Sequence, residues 1–403
     1  MVTNRLAFLA AIALATPATA PVRAWANPPG LAQAVEIWGA SPQPAKDPVQ
    51  PTTPFILNDE TVREIVTTTA AGQAIRLRLT NEYTDGPTHL DDVHLAVSGN
   101  PNTSGIAAGT DNVVTFGGQR SVTVAANSVA LSDPVYVTVP AGTNLAVSIH
   151  IVASGGYTTY HELGQRLGYF AAGDHTADAS IPGGAITYGQ YMLSGIEAYE
   201  PNGAVSLVAL GDSLTDGYGS TFGTNHRWTD YLASRLQNST LNYVAVSNQG
   251  ISGNKLLTDG IGPSAQSRLD RDELSKPAFR YLVLLEGIND IGQGASAADV
   301  IAAYQQIVAR THARIGLVYG GTLPPIGGSN YDYGDVEAKR QAVNAFIRTS
   351  GLFDGVIDFD AAIRDPANPQ RMRPAYDSGD HLHPGDAGYA AMANSIPLAL
   401  FAR

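Results

Sequence analysis

The order of apolar and helical segments after residue 204 constrains the fold more than any other feature of the sequence. Five apolar runs alternate there with helical segments such as "HRWTDYLASRLQ" and "AADVIAAYQQIVARTHARI": "VSLVAL" (205–210), "NYVAVSN" (242–248), "RYLVLLEG" (280–287), "GLVYGG" (316–321) and "GVIDF" (355–359). Continuous apolar strands that alternate with helices are typical of a parallel sheet covered by helices on both faces. Ligands of such sheets bind at the carboxyl ends of the strands.

The first half of the chain has a different period. Apolar residues recur at every second position in "IRLRLTNEY" (75–83), "VYVTV" (135–139) and "LAVSIHI" (145–151), and Gly, Pro, Asn and Asp separate these stretches. A period of two predicts half-buried strands, and this spacing indicates an antiparallel β-sandwich. The change of character at "EPNGA" (200–204) predicts a boundary near residue 202, with a β domain over 27–202 and an α/β domain over 203–403.

The N-terminus has the pattern of a secretory signal peptide. Arg5 precedes an apolar Leu/Ala/Ile stretch, and the segment ends in the small residues of Ala24-Trp25-Ala26. We predict a signal peptide over 1–26, cleaved after Ala26, and a bacterial periplasmic or secreted protein. The alternative is a membrane anchor, but the apolar stretch is shorter than the ~20 residues that a span needs, so no stable membrane insertion is expected.

The composition excludes several kinds of chemistry. The chain has no cysteine, so a disulfide framework, a thiolate nucleophile and a Cys-ligated zinc are excluded. The formal net charge is −12 without basic runs, which disfavours a nucleic-acid partner. The sequence leaves the oligomeric state open.

Candidate site residues lie in four loops: three of these loops directly follow predicted strands, and the fourth lies between the last strand and the last helix. Ser213 lies in "GDSLTDGYGS", Gly253 in "NQGISGNK" and Asn289 in "EGIND", while Asp380 and His383 lie in "DSGDHLHPGDAGY" before the last helix. Because the carboxyl ends of parallel strands meet at one edge of a sheet, we expect these five residues to lie together.

This set fits the requirements of acyl transfer. A serine hydroxyl needs a base, which His383 can supply, and the imidazole needs an orienting carboxylate, which Asp380 can supply. The oxyanion that develops on the carbonyl needs donors, and the N–H groups of Ser213 and Gly253 and the side-chain amide of Asn289 provide three. No cofactor and no metal are required.

The four motifs together resemble the SGNH (GDSL) hydrolase family. "GDSL", "GISGN", "GIND" and "DHLHP" occur in the family's order over residues 204–403, about half of the chain, and the departure is Ile288, which leaves the asparagine in place. The resemblance implies a flavodoxin-like three-layer fold, a metal-free acyl-enzyme mechanism and ester substrates. "YDSGDHLHPGDAGYAAMA" and "RLRLTNEY" are also similar to a subgroup of secreted bacterial esterases with an N-terminal β domain, grouped with xylanase-associated arylesterases.

From these features we predict a serine esterase that hydrolyses short acyl, mainly acetyl, esters on a small molecule or a polysaccharide. Two alternatives stay open. One is a lipase, lysophospholipase or arylesterase acting on longer or aromatic esters, and the other is a non-catalytic carbohydrate-binding protein.

Other residues near the motifs have competing interpretations. His381 competes with His383 as the base, and the Asp-x-x-His spacing favours His383. Asp212 and Asp216 are interpreted as turn or helix-start residues, with a catalytic acid as the weaker alternative for Asp216, and Asp377 and Asp386 as loop and helix-cap groups. A metal cluster of Asp380, His381, His383 and Asp386 is disfavoured because the serine already supplies a nucleophile.

Two further stretches are ambiguous. "GYGSTFG" (217–223) departs from the dinucleotide-binding glycine spacing, and the G-x-S-x-G elbow of another esterase fold is absent. Six tyrosines lie in a glycine-rich segment that forms either an aromatic platform for sugars or a structural margin: Tyr157, Tyr160, Tyr169, Tyr188, Tyr191 and Tyr199. "HELGQR" (161–166) is interpreted as structural.

Overall fold

The computed structural model describes residues 33–45, 55–199 and 203–402. The predicted signal peptide (1–26) and the predicted boundary at residue 202 lie outside the described residues. The division of the chain at that point therefore stays a proposal.

The first part of the chain consists of strands. They are β1 Ala34–Gly39, β2 Glu60–Thr67, β3 Ile75–Thr80, β4 Thr88–Val97, β5 Asn112–Val113, β6 Val122–Val124, β7 Val129–Leu131, β8 Asn144–Ala153, β9 Tyr160–His161, β10 Gly168–Ala172, β11 Ala185–Thr187, β12 Gln190–Tyr191 and β13 Leu193–Tyr199. Two antiparallel sheets contain most of them, in the orders β1-β13-β3-β7 and β11-β10-β2-β8-β4-β5, with β6 beside β4 and a small β9-β12 pair. The antiparallel prediction is confirmed.

One core joins these two sheets. Ile75, Leu77 and Leu79 of β3 face the same apolar cluster as Val147 and Ile149 of β8. The predicted alternation thus places one face of each sheet against the other, and burial of these side chains stabilises the pair of sheets.

Two details differ from the predicted alternation. The polar face of β8 is buried as well, because Arg63 donates from Nε to Ser148 Oγ at 2.7 Å and His150 Nδ1 lies 2.6 Å from Asp91. The stretch "VYVTV" forms isolated bridges at Val135 and Val139 instead of a strand. Prolines on both sides of this stretch, at 134 and 140, supply no N–H to extend a ladder.

The second part of the chain alternates strands and helices. It contains β14 Val205–Gly211, α1 Ser213–Asp216, α2 Trp228–Gln237, β15 Val244–Gly250, α3 Ala265–Leu269, a π-helix Asp270–Leu274, β16 Phe279–Leu285, α4 Ile288–Gly292, α5 Ala297–His312, β17 Leu317–Gly321, α6 Val336–Thr349, β18 Gly355–Ile357, α7 Phe359–Ile363, β19 Arg364–Asp365, β20 Asn368–Met372, α8 Asp386–Ser395 and a 3₁₀ helix Leu398–Phe401. The last α-helix, α8, ends at Ser395, because Pro397 follows it.

Five of these strands form a parallel sheet in the order β15-β14-β16-β17-β18. This is the flavodoxin-like order, in which the chain reverses direction across the sheet between β14 and β16. Helix α8 contacts both α2 and α7, and α5 contacts both α3 and α6, which gives the layers on either side of the sheet. The predicted fold class is confirmed.

The two parts of the chain are in contact along β1 and β15. Thr69 Oγ1 donates to the carbonyl of Val246 at 2.9 Å and accepts from the N–H of Val246 at 3.0 Å. The hydroxyl thus supplies hydrogen-bond partners to both backbone groups of one residue in the edge strand β15. Lys276 Nζ lies 2.8 Å from Glu36 Oε1, and both side chains are buried. Over the described residues, no helix has the length and apolar character needed to cross a membrane.

Candidate active site

Ser213 lies directly beyond β14, at the point where the sheet reverses its strand order. It is the first residue of the short helix α1, and the carboxylate of Asp212 caps this helix by accepting from Leu214 N–H at 2.9 Å. The helix-start interpretation of Asp212 is therefore confirmed. Ser213 is 6% exposed and lines a cavity that opens to the surface.

The loop before α8 brings His383 and Asp380 to this serine. His383 Nε2 lies 2.8 Å from Ser213 Oγ, and His383 Nδ1 lies 2.6 Å from Asp380 Oδ2. The second carboxylate oxygen of Asp380 accepts from the N–H groups of Leu382 at 2.9 Å and His383 at 2.8 Å. Burial opposes the ionisation of Asp380, but these hydrogen bonds and the imidazole hold its pKa below the usual range. The carboxylate thus stays charged beside the imidazole.

His381, the competing base, is directed elsewhere. Its Nδ1 lies 2.5 Å from Asp377 Oδ2, and half of its side chain is exposed. The carboxylate of Asp377 also accepts from the N–H groups of Gly379 and His381, as expected of a loop-stabilising group. The histidine within hydrogen-bond distance of Ser213 is His383.

Gly253 lies in the loop after β15 with a φ of +75°, a conformation that favours glycine. A Cβ at this position would also lie 2.8 Å from Ile261 Cδ1. Among the described residues, neither the N–H of Gly253 nor that of Ser213 has an acceptor. Both donors remain available to a ligand.

Asn289 is the second residue of α4 and is 5% exposed. Its Nδ2 donates to the carbonyl of Asn254 at 2.8 Å, and its Oδ1 accepts from the hydroxyl of Tyr331 at 2.9 Å. A carbonyl only accepts, so this pair of contacts determines which end of the amide is nitrogen. One amide hydrogen is used by Asn254, and the other remains for a ligand.

These residues surround one cavity of about 370 Å³. Its lining comprises Ser213, Tyr218, Ser252, Gly253, Asn289, Asn330, Tyr331, Asp380, Leu382 and His383. All five residues predicted as site residues therefore meet at one cavity. Two further lining residues were not predicted: Tyr218, whose ring centroid lies 4.5 Å from that of His383, and Tyr331. The two tyrosines occur in loops whose course the sequence does not determine.

A group of buried acids behind the cavity was also missed. Burial, with the charge of Asp290 adding to it, raises the pKa of Asp212 to about 7. Burial and the charge of Asp212 likewise raise the pKa of Glu286 well above its usual value, and burial raises that of Asp290. The buried guanidinium of Arg268 lies among them, 3.7 Å from Glu286, and donates to the carbonyl of Gly211 at 2.9 Å. The signal in the sequence was "EGIND", which has acids on both sides of the asparagine.

Asp216 lies in the single turn of α1, as predicted, whereas Asp386 is a structural group but not the predicted helix cap. Asp216 ends α1, is 1% exposed and accepts from His161 and Ser252. The N-cap of α8 is Gly385, and Asp386 is the residue after it. Asp386 Oδ1 accepts from the N–H of Thr221 at 2.7 Å, and Asp386 Oδ2 lies 2.7 Å from His226 Nδ1. Within the described ranges, no three His, Asp or Glu side chains are arranged to hold a metal ion.

The six tyrosines do not form a platform. Tyr160, Tyr169, Tyr191 and Tyr199 are buried in the first, all-strand part of the chain, as the structural interpretation expected. Tyr157 and Tyr188 are exposed, and Tyr188 contacts Phe222 with ring centroids 5.0 Å apart.

Several solved structures are similar to part of this chain. An alpha/beta hydrolase enzyme from the metagenome of Lake Arreo, Spain, is 21% identical, with a TM-score of 0.39, over 49% of this chain and 96% of that one. A GDSL-like lipase from Bacteroides thetaiotaomicron is 17% identical, with a TM-score of 0.38, over 48% of this chain and 87% of that one. An acetylxylan esterase from Geobacillus stearothermophilus is 21% identical, with a TM-score of 0.37, over 49% of this chain and 94% of that one. No curated protein matches the chain.

A family match covers the part of the chain that holds the cavity. Residues 209–391 match the GDSL-like Lipase/Acylhydrolase family, and this range contains Ser213, Gly253, Asn289, Asp380 and His383. Residues 209–391, a little under half of the chain, therefore belong to the GDSL-like lipase/acylhydrolase family, and the protein is a hydrolase that acts on esters.

Proposed function

We propose that this protein is a serine esterase that cleaves short acyl esters, acetyl esters of carbohydrates in particular, through an acyl-enzyme on Ser213. The observation that carries the proposal is the continuous hydrogen-bonded chain from Ser213 through His383 to Asp380 at the cavity.

In the proposed first half-reaction, Ser213 Oγ attacks the ester carbonyl carbon while His383 Nε2 takes the hydroxyl proton. The imidazolium is stabilised by Asp380, and the oxyanion accepts from the N–H groups of Ser213 and Gly253 and from the free amide hydrogen of Asn289. His383 then gives its proton to the departing alkoxide, and the C–O bond of the ester breaks.

Water completes the cycle. His383 removes a proton from a water molecule, whose oxygen attacks the acyl carbon at the same oxyanion donors. The second tetrahedral intermediate releases the carboxylic acid, and Ser213 regains its proton from His383.

The lining of the cavity supports a small, polar substrate. Leu382 is the one aliphatic residue among the described lining residues, and the rings of Tyr218 and Tyr331 add apolar surface of limited length. Ser252 and Asn330 offer polar groups beside the serine. A long acyl chain would need a longer apolar surface to leave water. A small acyl group and a hydroxylated alcohol fit this lining better.

A series of esters tests the proposed substrate class. With 4-nitrophenyl esters of two to twelve acyl carbons, kcat/KM is expected to be highest for acetate and to fall as the chain lengthens, and acetylated xylan is expected to release acetate. Equal or rising kcat/KM at ten to twelve carbons, with no acetate released from xylan, would favour a lipase. Failure of a fluorophosphonate to label Ser213 would favour the non-catalytic carbohydrate-binding protein.

We also propose export of the protein and cleavage after Ala26, based on the N-terminal pattern of residues 1–26. Sequencing the N-terminus of the protein recovered from the periplasm or medium of a bacterial host tests this. An N-terminus at Asn27 supports the proposal, and a cell-associated protein that retains Met1 contradicts it.

A further inference from the structure

His161, in β9 of the β domain, lies against the helix that Ser213 begins. Its Nε2 is 3.1 Å from Asp216 Oδ1, and its Nδ1 is 2.9 Å from the carbonyl of Ser41. The imidazole and the Asp216 carboxylate are both buried. The contact is therefore a solvent-excluded link between the two parts of the chain.

Both partners of His161 are acceptors. A carbonyl oxygen and a carboxylate each require a donor, and an imidazole offers two N–H groups only in its protonated form. Burial opposes this charge, but Asp216 and the Ser41 carbonyl outweigh it and raise the pKa of His161, with Arg227 acting in the opposite direction. The link is thus a buried ion pair.

The other oxygen of Asp216 holds the loop that carries Gly253. Asp216 Oδ2 accepts from both the N–H and the hydroxyl of Ser252, each at 2.8 Å. Ser252 is the residue immediately before Gly253. The last residue of β15 also lies close by, because a Cβ at Gly250 would be 2.2 Å from the backbone nitrogen of Asp216.

Other charged groups lie near both ends of this link. On the Asp216 side, Arg227 is paired with Asp230, with Nε and Oδ2 2.8 Å apart. On the Ser41 side, the serine hydroxyl hydrogen-bonds Asp272 and accepts from Arg271 at 2.7 Å. Each of these charges has its own partner, which leaves the Asp216 carboxylate to His161 and Ser252.

We infer that His161 is a positioning residue for the oxyanion site: it fixes Asp216, Asp216 fixes Ser252, and Ser252 sets the direction of the Gly253 N–H. The β domain thereby contributes to the reaction through a side chain that does not touch substrate. This inference rests on the proposed function, because it concerns the donors that stabilise the oxyanion.

Two substitutions at one position separate this role from simple packing. In His161→Gln the amide nitrogen takes the place of Nε2 and can still donate to Asp216, whereas in His161→Asn it takes the place of Nδ1 and reaches only Ser41. If the link to Asp216 orients Gly253, we expect His161→Asn to lower kcat on 4-nitrophenyl acetate by about 10- to 100-fold with KM unchanged. His161→Gln should keep kcat within about threefold of the wild type, a difference of under ~1 kcal/mol.

A boronic acid inhibitor provides a second readout. It forms a tetrahedral adduct on the serine, so its affinity reports on the oxyanion donors, and its Ki should rise in His161→Asn in parallel with the fall in kcat. The matched control is His89→Asn in the same domain, where the histidine contacts Thr123 at the surface and kcat should not change.

The outcomes distinguish the two proposals. If Ser213→Ala is inactive but His161→Asn retains the kcat and boronate affinity of the wild type, the positioning role is wrong and the proposed function stands. If Ser213→Ala retains activity, the proposed function itself is wrong. Should His161→Asn fail to fold, Ser252→Ala tests the same link, because it removes one of the two contacts to Asp216. There we expect kcat to fall by about 3- to 10-fold, and an unchanged kcat would overturn the inference.

Discussion

Removal of the Tyr331 hydroxyl tests how the oxyanion site is oriented. In the structure this hydroxyl donates to Asn289 Oδ1 at 2.9 Å, while Asn289 Nδ2 donates to Asn254 at 2.8 Å. Burial raises the pKa of Tyr331, so the hydroxyl keeps its proton and remains a donor. In Tyr331→Phe the Asn289 amide loses the hydrogen bond to Oδ1 that fixes which end of the amide faces residue 331.

The size of the effect follows from one hydrogen bond. A neutral hydrogen bond contributes about 0.5–1.5 kcal/mol, and ~1.4 kcal/mol corresponds to a tenfold change in rate. We therefore expect kcat on 4-nitrophenyl acetate to fall by about 2- to 12-fold. The KM should not change, because the oxyanion that Asn289 serves forms only after the substrate has bound.

The chain offers a matched control on the same loop. The hydroxyl of Tyr333 donates to the carbonyl of Gly292 in α4 and does not contact Asn289. Tyr333→Phe also removes one hydroxyl from this loop, but it should leave kcat unchanged. If the two variants lose activity equally, or if Tyr331→Phe raises KM with kcat intact, the orienting role of Tyr331 is wrong.

Three further predictions concern the base, the buried acids and the contact between the two parts of the chain. Asp380→Asn removes the charge that orients His383, so kcat should fall by about 10²–10⁴-fold in steady-state assays, and a change under threefold would contradict its role. Burial raises the pKa of Glu273 from 4.5 to about 8, so the carboxyl keeps its proton in the folded protein and the stability falls as the pH rises between these values. Between pH 5 and 8 the Tm of Glu273→Gln should therefore fall less than the Tm of the wild type. Equal falls in the two Tm values would contradict this. Lys276→Met leaves the Glu36 carboxylate buried without its partner, so the free energy of unfolding measured in urea should fall by about 3–5 kcal/mol. The double variant Lys276→Met/Glu36→Gln should recover part of this loss, and no recovery would contradict the pairing.

The sequence predicted the α/β fold and the five candidate site residues because both depend on local signals. Each parallel strand is a continuous apolar run, and Ser213, Gly253 and Asn289 each follow one of these runs directly. Once a parallel sheet is inferred, the carboxyl ends of its strands have to meet, whatever the lengths of the loops. Their catalytic roles remain predictions that the experiments above test.

Contacts between distant segments could not be predicted in this way. His161 occurs in "HELGQR", which has no pattern of its own, and its partner Asp216 is 55 residues away in the other part of the chain. Tyr331 contacts Asn289 only because the loop after β17 folds back over α4. Hydrophobic periodicity reports which face of an element is buried, and it contains no information on which polar groups meet when two parts of a chain pack together.

The central claim is that Ser213 forms an acyl-enzyme with the ester substrate. The direct test is mass spectrometry of the wild type and Ser213→Ala after reaction with a fluorophosphonate, together with hydrolysis of 4-nitrophenyl acetate by both. We predict one covalent adduct on Ser213 in the wild type, none in the variant, and a loss of at least ~10³-fold in kcat/KM. Undiminished hydrolysis by Ser213→Ala, or an adduct on a different residue, would contradict the claim.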